Sequence, residues 1–113
     1  MQICLKQQTT EHKNSDVCVV TKHHINDELI DFAIVKVTGR YPDQGCAVNR
    51  QCKEIVYIQS GSGTVTVDGV EHKINEGDLV LIEAGENFFW EGGLSLHISC
   101  RPAFTTEQHE IVS

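Results

Sequence analysis

Glu54 heads the run Glu54-Ile-Val-Tyr-Ile-Gln-Ser-Gly61, whose β-branched and aromatic residues read as a strand. Side chains alternate along a strand, so this carboxylate shares a face with Val56 and Ile58. Among apolar neighbours a carboxyl group is held neutral, because desolvation disfavours its charged form and raises its pKa. Such a group suits general acid or base chemistry. The plainer alternative is a buried glutamate tied to backbone or arginine partners. Phe88 and Trp90 stand two apart in Phe88-Phe-Trp90 and share a face, while Phe89 points the other way. Tryptophan joins a wide apolar face to one N–H donor, a combination that suits a flat or sugar-like ligand. Packing is the competing explanation for the same pair.

The other reactive residue types show no productive spacing. His23 and His24 are adjacent and face opposite sides of a strand, and His72 falls in a hairpin. His97 alternates with Leu96 and Ile98 and is expected to face outward, while His12 and His109 lie in polar end segments. All six are read as structural or solvated. The cysteines Cys4, Cys18, Cys46, Cys52 and Cys100 form no Cys-x-x-Cys pair, and their odd number is no disulfide framework. Free cysteines most often serve as small buried hydrophobes. No spacing supports a zinc site built from His97, Cys46, Cys52 or Cys100.

Composition narrows the function classes. The 113 residues suffice for one domain with a single modest core. A net charge of −7 argues against nucleic acid, since phosphate binding needs a basic face and no Lys/Arg cluster occurs. Arg40, Arg50 and Arg101 are scattered and read as solvated charges. The N-terminal Met1–Gln8 has no apolar core of a signal peptide, and no apolar run nears the roughly 20 residues of a membrane span. A cytoplasmic location is therefore expected, with no membrane partner.

The elements that must position these residues are strands. Residues 1–16 are polar and read as an irregular arm or an edge strand, and Val17–Thr21 is a short β-branched run. Leu29–Thr38 is longer, and its near-continuous hydrophobicity predicts burial on both faces. Glu54–Gln59 is predicted to end at Ser60-Gly-Ser-Gly63. Thr64–Val67 and Val70–Ile74 flank Asp68-Gly69, the favoured dipeptide of a two-residue hairpin. Leu79–Ile82 follows the turn at Gly77-Asp78. Phe88–Trp90 and Leu94–Cys100 are predicted as two strands separated by Gly92-Gly93. No helix is expected beyond a single turn within Thr105–Ile111. Short strands with turn signals about every 8–12 residues describe an all-β sandwich or barrel.

Spacing of acids and glycines adds a family resemblance. The Glu54–Gly61 run, then Gly63–Ile74, then Glu76-Gly-Asp-Leu-Val-Leu-Ile-Glu-Ala-Gly85 resemble the two-motif signature of the cupin superfamily. The resemblance covers about Gly39–Phe104. It is strongest to short stand-alone cupins, through Gly39-Arg-Tyr-Pro42, Phe89-Trp-Glu-Gly92, Cys100-Arg-Pro-Ala-Phe104 and Gln108-His109. It implies a double-stranded β-helix, the jelly-roll barrel, with Glu54 pointing inside. Three of the four ligands that commonly hold a metal in this family are replaced, with Ala47, Asn49 and Phe88 standing where histidines are usual. Imidazole nitrogen holds a first-row divalent metal well, the Asn49 amide oxygen holds it weakly, and Ala47 and Phe88 cannot hold it. Glu83 also replaces the second motif's usual proline.

Together these features describe residues 1–113 as one cupin domain, with its core at about 29–104. The expected function is binding of a small, possibly sugar-like molecule without a tightly held metal or other cofactor, at Asn49, Glu54, Phe88 and Trp90. One alternative is a metal-independent isomerase, epimerase or lyase using Glu54 as acid or base. Another is a metal-dependent oxygenase or isomerase with non-standard ligands. The apolar run Leu29–Val37, with the family's habit of pairing, implies a homodimer.

Overall fold

A computed structural model describes every residue from Met1 to Ser113. Nine strands carry the fold: β1 (Thr10–Ser15), β2 (Cys18–Lys22), β3 (Ala33–Tyr41), β4 (Cys46–Asn49), β5 (Lys53–Val67), β6 (Val70–Asn75), β7 (Leu79–Ile82), β8 (Asn87–Arg101) and β9 (His109–Val112). Two short 3₁₀ turns, Lys6–Gln8 and Thr106–Gln108, are the only helical segments. The strands join antiparallel in one curled sheet ordered β1-β2-β3-β8-β4-β9, and β8 also pairs with β5, which in turn carries β6 and β7.

The two long strands differ from the sequence expectation. Ser60–Gly63 does not end a strand; β5 continues through it with a bulge between Ile58 and Ser60. Gly92-Gly93 likewise sits inside β8. Here the two strands come together glycine to glycine, Gly63 opposite Gly92 and Ser62 opposite Gly93. A Cβ at Gly63 would collide with the carbonyl oxygen of Glu91. Missing side chains let the backbones approach and turn sharply, so the glycines bend a continuous ladder rather than interrupt it.

The start of β3 is also displaced. Leu29 and Ile30 are exposed and outside any strand, because the Asp27 carboxylate accepts both of their backbone N–H groups, at 2.8 and 3.2 Å, and holds a turn. Within β3 only Val37 is fully buried, whereas Lys36 and Thr38 are exposed, so one face is covered and not both. The Asp68-Gly69 hairpin forms as its sequence dictates, both residues having positive φ, 48° and 81°. Residues 10–15 do form an edge strand.

The core lies between the two halves of the curled sheet. Val37, Val56, Ile58, Val65, Leu94 and Leu96 fill it, each a strand residue on the inward alternation. Phe89 points outward, as alternation requires, and the Arg40 guanidinium lies over its ring at 3.8 Å. Arg40 is thus a stacked cation, and its nitrogens also donate to the carbonyls of Pro42 and Gly45. Arg50 forms an ion pair with Glu110 at 2.8 Å. Arg50 and its partner stay exposed, as the sequence suggests for a solvated charge, whereas Arg40 does not. All five cysteines are free thiols.

Candidate functional site

One cavity of about 580 Å³ opens between the halves of the sheet, within the size range of small-molecule sites. The four residues singled out by sequence, Asn49, Glu54, Phe88 and Trp90, all contribute to its wall. Phe88 and Trp90 meet edge to face with centroids 6.5 Å apart. Both are 3% exposed and belong to the core as well as to the cavity wall.

Glu54 follows from its strand. The alternation of β5 turns Glu54, Val56 and Ile58 inward together, so the carboxyl is buried among apolar side chains. Burial pushes its pKa up to about 8, the nearby Cys52 and Asp31 charges add to the rise, and the Cys100 thiol opposes it. That thiol donates to Glu54 Oε2 at 3.8 Å from the position directly opposite on β8. At neutral pH the carboxyl is mainly protonated, an acid rather than a base. Behind it, Cys52 is pulled down by the Cys100 thiol, whereas Cys100 is pushed up by the same contact and by burial.

Sequence reasoning missed the most organised part of the wall. His109, assigned above to the structural or solvated histidines, starts β9 and lies directly opposite Asn49 of β4. Its Nδ1 is 2.7 Å from Asn49 Oδ1, and its Nε2 is 3.2 Å from the Tyr41 hydroxyl. The carboxamide oxygen can only accept, so the imidazole proton sits on Nδ1 and Nε2 accepts from Tyr41. Burial lowers the pKa of His109 and keeps it neutral. Tyr41 is pushed up to about 12, first by burial and then by the Cys18 charge, while an Asn14 hydrogen bond works against the rise. The phenol therefore keeps its proton and donates it.

Two anchors hold this chain. Tyr41 ends β3 opposite Trp90, and Gln108 fastens the turn before His109. The Gln108 side-chain oxygen accepts the backbone N–H groups of Gln51 and Cys52 at 3.0 and 3.2 Å, and its backbone oxygen accepts that of Arg50 at 2.9 Å. Phe104 packs on the imidazole with centroids 5.6 Å apart.

The chemistry of the wall does not fit the metal expected from the wider family. Ala47 and Phe88 face each other across β4 and β8, leaving only Glu54 and Asn49 with ligating atoms at the four usual positions. Nowhere do three or more His, Cys, Asp or Glu side chains converge on a point that could hold a metal ion.

Comparison with known proteins agrees with this architecture. A family model described as Cupin domain matches residues 44–91. A Streptomyces Pac13 variant, in a structure with uridine, superposes with a TM-score of 0.89 at 15% identity over 99% of this chain and 90% of that one. Pac13 is described as a nucleoside dehydratase. An RmlC-like cupin from Shewanella frigidimarina superposes at 0.75 with 17% identity, over 91% of this chain and 92% of its own. KdgF from a Halomonas species superposes at 0.74 with 10% identity, over 95% and 98%. No curated protein matches the sequence. The fold is the jelly-roll barrel of the cupins, and the Cupin domain model matches its central part, with Ala47, Asn49 and Phe88 where metal-binding histidines are usual. No helix is long and apolar enough to cross a membrane.

Proposed function

We propose that this protein binds a small, ring-bearing, hydroxylated molecule in its cavity and moves a proton on it, as a lyase or an isomerase. One observation carries the reading: the Tyr41–His109–Asn49 chain shares a cavity wall with a buried, protonated Glu54. Acid and base held at separated pKa values are what proton-transfer chemistry needs at neutral pH.

The roles follow from the protonation states. Asn49 holds the imidazole so that Nε2 presents its lone pair. As the Tyr41 oxygen takes a proton from the substrate, it passes its own to Nε2, and the imidazolium so formed keeps its Nδ1–H bond to Asn49. Glu54 gives a proton to a leaving hydroxyl, or to the opposite face of the same carbon in an isomerisation. Phe88 and Trp90 supply the apolar surface for a flat ring. The likeness to a nucleoside dehydratase supports a nucleoside or related sugar as the ligand class. Five free thiols suit a cytoplasmic location, and exposed apolar residues on the outer sheet face suit a homodimer.

Saturation-transfer NMR with a panel of nucleosides and free sugars, followed by incubation of the binders in D₂O, tests this reading. The expected result is solvent deuterium incorporation, or elimination, that His109→Gln abolishes and Trp90→Phe retains. Binding without exchange by any panel member would return the protein to a plain binding module. The mostly apolar lining of the cavity favours that second reading.

A further inference from the structure

The wall built by β1 and β2 differs from the apolar floor. Thr10, His12 and Asn14 alternate along β1 and turn one polar face to the cavity. Thr10 lies opposite Lys22 and His12 opposite Val20, and both of those also line the cavity. Lys22 is the only lysine or arginine on the lining. It takes part in neither ion pair of the molecule, which join Arg50 to Glu110 and Lys53 to Glu83.

None of the acidic groups around the cavity forms an ion pair with Lys22. Asp31 accepts two backbone N–H groups, from Cys100 at 3.0 Å and Phe104 at 2.8 Å. Glu54 is neutral below about pH 8 because it is buried. Glu107, exposed on the C-terminal rim beside Thr105 and Thr106, remains as the one free carboxylate of the lining. The chain as a whole carries −7, so an exposed lysine on the cavity lining runs against the general field.

We propose that Lys22, with His12 and Thr10, forms an oxyanion subsite at the cavity mouth that takes a phosphate ester or carboxylate of the ligand. The ammonium supplies a point charge with three donors, and imidazole supplies an N–H in either neutral tautomer. The Thr10 hydroxyl, 2.8 Å from His24 Nε2, is held in place from behind. This assignment rests on the cavity reading above and makes it specific: the ligand is a nucleotide or an acidic sugar derivative rather than a neutral one.

Calorimetric titration of the intact protein with uridine, uridine 5′-monophosphate, the corresponding 5′-carboxylate and ribose 5-phosphate tests it. At least one anionic nucleoside should bind about tenfold more tightly than uridine, a difference that one well-placed charge interaction can supply. Lys22→Gln should bring that ratio to near unity while leaving uridine binding unchanged. Lys22→Arg should keep most of the gain, and added salt should erode it. The phosphate and carboxylate arms show which oxyanion the subsite prefers. If uridine itself does not bind, ribose 5-phosphate decides the matter, through saturable amide shifts at Thr10, His12 and Lys22 that vanish in Lys22→Gln. No gain with either anion and no such shifts, or a gain that survives in Lys22→Gln, would overturn the subsite. Deuterium exchange on bound ligand is a separate readout and fails or succeeds independently.

Discussion

Asn49 and His109 face each other across the β4–β9 ladder, with Oδ1 of one 2.7 Å from Nδ1 of the other. Sixty residues of chain separate them. The pairing fixes the imidazole tautomer and so decides what the cavity can do. Asn49→Asp replaces a neutral acceptor by a charged one of the same shape and favours the imidazolium. The pKa of His109 should rise by a unit or more, a size usual for a close opposite charge. Carbon–proton NMR titration of the histidines checks it. A His109 resonance that titrates unchanged would mean that the contact does not govern the ring.

Glu54 makes folding stability depend on pH in a definite direction. Its pKa is about 8 in the fold against a reference of 4.5. Below 4.5 both folded and unfolded states are protonated, and burial carries no electrostatic penalty. As pH rises towards 8 the unfolded chain releases a proton that the folded chain retains, so stability falls through this window. The loss is on the order of a few kcal/mol. Glu54→Gln removes the titration and keeps the shape. The difference in urea midpoint between variant and wild type should therefore grow from pH 5 to pH 8 in favour of the variant, while other titrating groups cancel. A difference independent of pH would show that the carboxyl is solvated. Turnover that needs Glu54 as an acid should fall as pH passes about 8.

Local signals were readable and distant ones were not. Asp68-Gly69 announces its hairpin because both turn positions need positive φ. Period-two alternation places Phe88 with Trp90, and Glu54 with Val56, before any partner strand is known. Tyr41 and His109 fall in the motifs Gly39-Arg-Tyr-Pro42 and Gln108-His109, but no local pattern says that their side chains meet. One sits in a polar tail and the other at the end of a half-buried strand, and only long-range pairing brings them together. The same gap explains the glycines. Gly92-Gly93 reads as a break along one strand, and its role appears only when Ser62-Gly63 lies opposite.

Gly63 should accordingly resist substitution more than a loop glycine. The Cβ of Gly63→Ala would strike the Glu91 carbonyl oxygen, and backbone cannot move aside as a flexible side chain can. Gly85, at a turn with open space around it, offers a comparison with positive φ alone. Gly63→Ala should lower stability by more than about 2 kcal/mol, in the range of strained or overpacked sites. Gly85→Ala should cost about 1 kcal/mol, the usual left-handed backbone penalty. Denaturant midpoints of the two variants check the order, and the reverse order would remove the close approach as the reason for the glycine.

Trp90 combines packing with a place on the cavity wall, and the two roles separate by substitution. At 3% exposure and within the main core, Trp90→Ala should cost about 3–5 kcal/mol, the range for a core aromatic cut to alanine. That is more than the modest folding effect expected of a residue devoted to ligand. Trp90→Phe retains most of the apolar volume and removes the N–H donor. It should cost less than about 2 kcal/mol and report on the ligand instead. Affinity for a cavity ligand that survives Trp90→Phe would assign the ring to apolar contact, and affinity lost with stability intact would assign the indole N–H.

The outer face of the sheet supplies the last expectation. Ile55 pairs with Leu81 and Tyr57 with Leu79, four exposed apolar side chains adjoining across β5 and β7. Beside them Tyr57 adjoins His97, and His97 meets Phe32, with ring centroids 6.4 and 5.7 Å apart. Leu29 and Ile30 are exposed in the turn before β3. A contiguous apolar surface of this kind is a common mark of association. A two-fold pair would present the same patch from both chains, so one substitution acts twice. Light scattering at micromolar concentration should give about twice the chain mass of 12.6 kDa. Leu79→Lys, at a position 63% exposed, places two like charges in such an interface and should return the mass to that of one chain without loss of fold. A wild-type monomer would leave the patch uncovered. A dimer indifferent to Leu79→Lys would move the contact to another face, the polar edge strand β1 being the next to test.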